Sequence, residues 1–400
     1  MNHRYIAFAG FKTDWPLVNE LYPQAAGARV TLQSLRTSQN HGLPRARLWI
    51  DPEVDGLHAV EVFSATGAGY EKYRSYIEQF PNASQILTDR PDRTRIRAFV
   101  DAVLNSVIDA TGGLSDVGYI SVPQLPYVPG SERNRINRML AELSLRWKSA
   151  QRRPPKFILP IIFAKKRGQT NLKTDRTPKV KLAAACFQAS GADGAWVVDS
   201  TLDDHADVGN YENERFPGIV QFHEELNQEL PPEAITIAGP YWGLNLILWA
   251  RGLVRFPAIG LGRAYQYFVP GRDPQSRTAK TRIAVPPLKR LAIVSALKPW
   301  LQNSLRELPK SDPAHVEFEN LNRNLDFLQA KERARRQIAQ FYRDWLAKLE
   351  SVPISSRALT LYQDLSAAFV LGSRLEPFDK NVEDVPNPAI IAKQLMVNCL

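Results

Sequence analysis

Short apolar segments recur along residues 4–262, and each is followed by a stretch long enough to form a helix. Most of these segments are continuous apolar runs without alternation of polar and apolar positions, which is typical of strands buried on both faces of a parallel sheet. Eight such segments predict an α/β fold, a (β/α)8 TIM-type barrel. The predicted strands are 5–8, 47–50, 85–87, 117–120, 157–163, 195–198, 235–237 and 258–261.

The pattern changes near residue 287, where the periodicity becomes helical and continues so to the end. In the stretch after Pro313, apolar residues keep the spacing of one buried helix face, as at Phe318, Leu321 and Leu325. Four hundred residues also exceed what one hydrophobic core usually holds. We therefore predict a barrel over 1–287, with a basic loop at 164–181, followed by an α-helical C-terminal domain over 288–400.

Composition narrows the class of protein. The two cysteines, Cys186 and Cys399, are too few for a disulfide framework or a cysteine zinc site. No apolar stretch approaches the roughly 20 residues needed to span a bilayer. We expect a cytoplasmic protein that has no membrane partner.

The net charge of +10 is concentrated in two segments. Residues 151–181 carry ten Lys and Arg against one Asp, and residues 263–290 carry seven against one. Such a concentration is expected of a protein that binds a phosphate-rich partner, and we predict DNA or RNA. The alternative is a pair of solvated loops on a basic protein.

A barrel carries its chemistry at the carboxyl ends of the strands. Asp51, Asp89 and Asp199 each follow a predicted strand, and converging carboxylates can act as acid, base or nucleophile. The alternative for each is an ordinary helix cap. Glu53 also follows the strand that ends at Asp51. Residues suited to binding phosphate or stacking on a base complete the predicted site: Lys12, Lys165, Lys166, Tyr241, Trp242, Arg263 and Tyr265.

No cofactor is predicted from the sequence. The acidic segment after the sixth predicted strand holds oxygen ligands and one histidine, which together could bind a divalent metal. Its spacing matches no defined metal motif, and a solvated acidic loop is the alternative. The residues concerned are Asp199, Asp203, Asp204 and His205.

These observations lead to an enzyme hypothesis and a binding hypothesis. As an enzyme, the barrel would act on a nucleic acid or nucleotide, with Asp89 and Asp199 as the pair for glycosidic-bond or base-exchange chemistry and Asp51 tuning them. This outline is similar to that of the tRNA-guanine transglycosylases, although two cysteines cannot form the zinc site of that family and no stretch matches its motifs.

The alternative is a non-catalytic component that docks nucleic acid within a larger assembly. In that case the aspartates are helix caps, and the C-terminal helices bind a protein partner. A third reading, a metabolic barrel acting on a small phosphorylated substrate, leaves the size of the basic segments unexplained.

Overall fold

The computed structural model shows a closed barrel of eight parallel strands, in which β8 pairs with β1. It describes residues 5–8, 15–21, 25–37, 47–57, 68–86, 92–113, 117–127, 131–163, 176–199, 215–260, 281–383 and 385–399. The predicted fold class is confirmed. The strands are β1 (Ile6–Phe8), β2 (Gly27–Thr31), β3 (Leu48–Asp51), β4 (Tyr119–Ser121), β5 (Phe157–Phe163), β6 (Gly194–Asp199), β7 (Ile235–Ala238) and β8 (Phe256–Gly260).

The second strand of the barrel differs from the prediction. The structure forms β2 at Gly27–Thr31, a segment that the hydrophobic pattern did not indicate. The segment 85–87 was predicted as a strand, but a 3-10 helix occupies Ala83–Gln85 and a turn follows at Ile86. The pattern failed at β2 because Arg29 interrupts its apolar residues. The other seven predicted strands coincide with barrel strands.

Strand alternation decides which side chains face the lumen. The rings of Phe8, Trp49 and Trp196, from β1, β3 and β6, contact one another inside the barrel. Successive side chains point to opposite faces, and paired residues of neighbouring strands share a face. Arg29 pairs with both Phe8 and Trp49 in register, so it also faces the lumen.

Helices alternate with the strands along most of the barrel. They are α1 (Trp15–Leu21), α2 (Leu32–Thr37), α3 (Ala68–Ile77), α4 (Arg93–Thr111), α5 (Ser131–Ser149), α6 (Arg176–Ser190) and α7 (Arg215–Glu229). The bounds of α4 follow from its caps. The Asp92 side chain accepts a hydrogen bond from the Thr94 amide, and Gly112 ends the helix in a left-handed conformation. The described part of the connection from β3 to β4 contains two α-helices, α3 and α4.

A second compact unit contains the C-terminal helices. The first unit comprises residues 1–201, 218–241 and 253–275, and the second comprises 202–217, 242–252 and 276–400. The predicted boundary at residue 287 falls inside a β-hairpin of the second unit. The elements of the second unit are α8 (Leu244–Ala250), β9 (Arg282–Val285), β10 (Arg290–Ile293), α9 (Val294–Glu307), α10 (Pro313–Leu328), α11 (Lys331–Glu350), α12 (Ile354–Ser373) and α13 (Ile390–Met396).

The core of the second unit joins the hairpin to its helices. Ile283, Leu297, Trp300 and Phe318 are among its buried residues. The helix α8 belongs to this unit although it lies between β7 and β8 in sequence, and the Tyr342 hydroxyl donates a hydrogen bond to Asn245 of α8. None of the helices in the described part of the chain is long and apolar enough to cross a bilayer.

Candidate active site

A buried ion pair lies at the carboxyl end of β3. Arg29 is only 2% exposed, and its Nε donates to Asp51 Oδ2 at 2.9 Å while Nη2 donates to the same oxygen. The guanidinium carbon lies 4.4 Å from the Phe8 ring centroid and 5.7 Å from that of Trp196. Asp51 has the same parity along β3 as Trp49 and so faces the lumen. The pair therefore lies on the inner side of the barrel wall.

Glu53 is a second carboxylate on the same guanidinium. Its Oε1 lies 3.3 Å from Arg29 Nη2, and its side chain is 16% exposed. Burial raises the pKa of Glu53 from 4.5 to about 7; Arg29 lowers it, and Asp51 raises it further. Near neutral pH the carboxyl is therefore present in both protonation states, which suits proton transfer.

The backbone between the two carboxylates is constrained. The Glu53 amide donates to Asp51 Oδ1 at 3.0 Å, and Glu53 itself is left-handed, with φ 53° and ψ 39°. This conformation disfavours residues other than glycine, and it persists only where the surroundings enforce it. Since both oxygens of Asp51 accept hydrogen bonds, Asp51 fixes Arg29 on one side and the turn on the other. Glu53 is the more exposed of the two carboxylates on Arg29.

Aromatic rings surround Arg29 inside the barrel. Trp49 and Trp196 meet edge to face, with centroids 5.1 Å apart. Their indole N–H groups donate to Ser121 Oγ at 2.7 Å and to the Gly239 carbonyl at 2.6 Å. These rings keep water from the guanidinium, and this strengthens its interaction with the carboxylates.

Among the predicted catalytic residues, Asp51 lies at this site and Asp199 does not join it. Asp199 ends β6 and pairs in register with Phe163, whose ring contacts Phe222 of α7 at 5.0 Å. Both therefore belong to the face of the barrel wall that is turned toward the helices. The Asp199 amide donates to the Tyr241 hydroxyl at 2.6 Å, and Tyr241 is buried. Trp242 belongs to the second unit, where its Nε1 donates to the Lys289 carbonyl at 3.1 Å.

The remaining predicted site residues lie outside the described part of the chain: Lys12, Asp89, Lys165, Lys166, Arg263, Tyr265, Asp203, Asp204 and His205. Asp89 is a predicted site residue because a strand is expected at 85–87. In the structure, a 3-10 helix occupies Ala83–Gln85 instead. Within the described ranges, no group of three or more His, Cys, Asp or Glu side chains could hold a metal ion.

The basic segments do not form one surface among the residues that are described. Arg152, Arg153 and Lys156 precede β5 and lie toward the amino ends of the strands, away from Asp51. Arg176 pairs with Glu225 at 2.5 Å. Arg290 is buried and donates to main-chain carbonyls in the second unit. These described basic residues thus have a structural role or lie away from the carboxylate pair.

Sequence reasoning did not identify Arg29, and it placed Glu53 after the strand that ends at Asp51 without giving it a catalytic role. Two signals could have found them. Arg29 lies between the apolar residues Ala28 and Val30, and a single cation between apolar neighbours is compatible with a barrel strand that turns one charged side chain toward the lumen. Glu53 follows Asp51 by two residues, close enough for both carboxylates to reach one partner.

No protein-family model matches this chain, and no curated protein matches it either.

Proposed function

We propose that the protein is a barrel enzyme in which Glu53 transfers a proton to and from a glycosidic bond of a nucleotide or nucleic acid. The observation that carries this proposal is the carboxylate pair on Arg29, in which Glu53 has a pKa of about 7 at the carboxyl end of a barrel strand. Asp51 and Glu53 take the place of the aspartate pair expected from sequence.

The chemistry needs one proton donor and one fixed negative charge. Protonated Glu53 donates its proton to the base as the base–sugar bond breaks, and the bonding electron pair leaves with the base. Once Glu53 has given up its proton, the two carboxylates outnumber the single cation Arg29, and the resulting net negative charge favours the positive charge that develops on the sugar. Water, or an incoming base in an exchange, then adds to the sugar and returns a proton to Glu53.

The substrate class is supported by charge alone. The chain carries a net charge of +10, and the residues joining β5 to α6 include Lys165, Lys166, Arg167 and Lys173. A phosphate-bearing substrate complements such a segment next to a barrel strand end. This part of the proposal is therefore tested first, by binding to single-stranded DNA, duplex DNA and tRNA across a salt titration. The predicted substrate class is contradicted if the affinity for each of the three polymers is independent of the salt concentration.

The catalytic part is tested by measuring base release from nucleosides, nucleotides and these polymers by mass spectrometry. We expect Glu53→Gln to lower turnover by about 10²–10⁴-fold, since the amide cannot donate the proton. The activity should also lose its dependence on a group with a pKa near 7. Glu233→Gln, at an exposed glutamate before β7, is the matched control. Equal release by Glu53→Gln and the wild type would show that Glu53 is not the proton donor.

A further inference from the structure

The helix α3 lies in the connection that carries the carboxylate pair. Both α3 and α4 separate β3 from β4, and α4 packs between α2 and α5 as a barrel helix does. The helix α3 is thus additional to the ring. Additional segments after barrel strands are where these folds build their sites.

Two tyrosines of α3 bind the backbone of the Glu53 turn. The Tyr73 hydroxyl donates to the Glu53 carbonyl at 2.7 Å, and the Tyr76 hydroxyl donates to the Pro52 carbonyl at 2.8 Å. Both tyrosines are buried. The two consecutive carbonyls before and after the left-handed residue Glu53 are therefore held from the same helix.

Gly56 makes room for one of these rings. A Cβ at this position would come within 2.2 Å of Tyr73 Cζ, so the ring occupies space that a side chain would otherwise fill. Edge contacts continue from Tyr76 to Phe80 at 5.6 Å and from Phe80 to Phe99 of α4 at 6.0 Å. The position of α3 is thereby tied to the barrel ring and not only to the turn.

We propose that Tyr73 is a positioning residue that holds Glu53 in its left-handed conformation, so that the Glu53 carboxyl stays beside Arg29 and away from water. The effect of this positioning on catalysis rests on the proposed function. The hydrogen bond from Tyr73 and the bond from the Glu53 amide to Asp51 restrain both ends of the residue. Without the first of them, the backbone can relax toward commoner conformations, and the carboxyl moves with it.

Several titratable or charged groups face this turn. Asp51 lies on β3 and Arg29 on β2, Asp55 lies in the 3-10 turn Val54–Gly56, and Tyr73 and Tyr76 come from α3. Arg36 of α2 acts on Tyr76. Burial raises the pKa values of both tyrosines well above 10, so both remain donors throughout the neutral range. Neither tyrosine hydroxyl therefore contributes a titration near pH 7.

The test follows the carboxyl carbon of Glu53 by NMR in protein labelled at glutamate, with the resonance assigned by its loss in Glu53→Gln. We expect Tyr73→Phe to lower the pKa of Glu53 by about one unit or more, toward its ordinary value, because burial is the main cause of the rise and the released carboxyl gains water. Tyr76→Phe should lower it less, since Tyr76 binds the preceding carbonyl. Tyr362→Phe, a partly buried tyrosine of α12, should leave it unchanged.

A pKa of Glu53 that stays within about 0.3 units of the wild-type value in Tyr73→Phe overturns the proposal, whatever the effect of Tyr76→Phe. The measurement needs no turnover, so it separates the two hypotheses. A lowered pKa with no activity in any substrate panel keeps the positioning role and removes the proposed function. Where turnover is found, Tyr73→Phe should lower kcat more than it changes KM and should shift the pH profile in the same direction as the NMR titration.

Discussion

The ion pair between Arg29 and Asp51 is the residue-scale feature on which the site depends. Both partners are buried, and Glu53 adds a second carboxylate to the same guanidinium. Taking charges out of water is costly, and the cost is offset only while the partners are together. The intact pair therefore adds little to the free energy of unfolding, whereas loss of one partner lowers that free energy strongly.

We expect Arg29→Met to destabilise the protein by about 3–5 kcal/mol, because it leaves Asp51 buried without its cation. Urea denaturation at pH 7 measures the loss. Glu319→Gln breaks an exposed pair with Arg323 on α10 and should cost at most about 0.5 kcal/mol. Equal losses for the two variants would mean that the buried pair is compensated by other groups.

A buried histidine makes a second residue-scale prediction. His223 of α7 is 0% exposed, and neither ring nitrogen has a hydrogen-bond partner within the described structure. Burial lowers its pKa from 6.5 to about 3, so the unfolded chain binds the proton more readily than the folded one. This linkage removes stability as the pH falls from about 6.5 toward 3.

We expect the wild type to lose about 2 kcal/mol more than His223→Leu between pH 7 and pH 5, the difference that this pKa shift implies. Denaturant unfolding of both proteins at the two pH values gives the difference. If the two proteins lose the same stability, His223 is protonated in the folded state or is not buried there.

At the scale of elements, the chain shows where hydrophobic patterning is sufficient. The strand β5 is apolar throughout and was predicted with its observed bounds. The strand β2 was not predicted because its lumen-facing Arg29 interrupts the apolar pattern. The carboxylates that neutralise Arg29, Asp51 and Glu53, are distant from it in sequence. The site could be predicted as a strand end carrying Asp51. The place of Arg29 at the site depends on the register between β2 and its neighbours, which the sequence alone does not specify.

The fit between the 3-10 turn and α3 gives an element-scale prediction. Gly56→Ala places a methyl group against the Tyr73 ring and should destabilise the protein by about 1–3 kcal/mol. Combining it with Tyr73→Ala should cost less than the sum of the two single changes, since the smaller side chain vacates that space. Thermal and urea unfolding of the three variants measures the coupling. Additive losses would show that Gly56 is needed for its backbone and not for the ring.

At the scale of the whole molecule, neither compact unit is one continuous segment. The helix α8 is buried along its entire length, and it contacts α12 of the same unit. Gly243, just before α8, lies where a Cβ would come within 2.6 Å of Leu395, and the Arg357 guanidinium carbon of α12 lies 4.2 Å from the Trp249 ring. The segment between β7 and β8 therefore contains a helix whose packing partners, such as α12, come much later in the sequence.

We expect a chain that ends at residue 281 to be poorly soluble and to lack cooperative unfolding, although it contains every barrel strand. The cause is the apolar surface of α8, which includes Leu246, Leu248 and Trp249. Size-exclusion chromatography and thermal unfolding decide the point. A monomeric truncated protein that unfolds cooperatively would show that α8 finds other cover in the barrel.

The late cover of α8 also has a consequence during synthesis. The ribosome completes α8 and β8 before it makes α12, and the intervening stretch of roughly 100 residues takes on the order of 5–20 s at ordinary elongation rates. For that interval the nascent chain carries a helix that is apolar except for Asn245 and whose partner α12 has not yet been made. We expect ribosome-associated chaperones to bind newborn chains most strongly in this window and to leave once α12 has emerged.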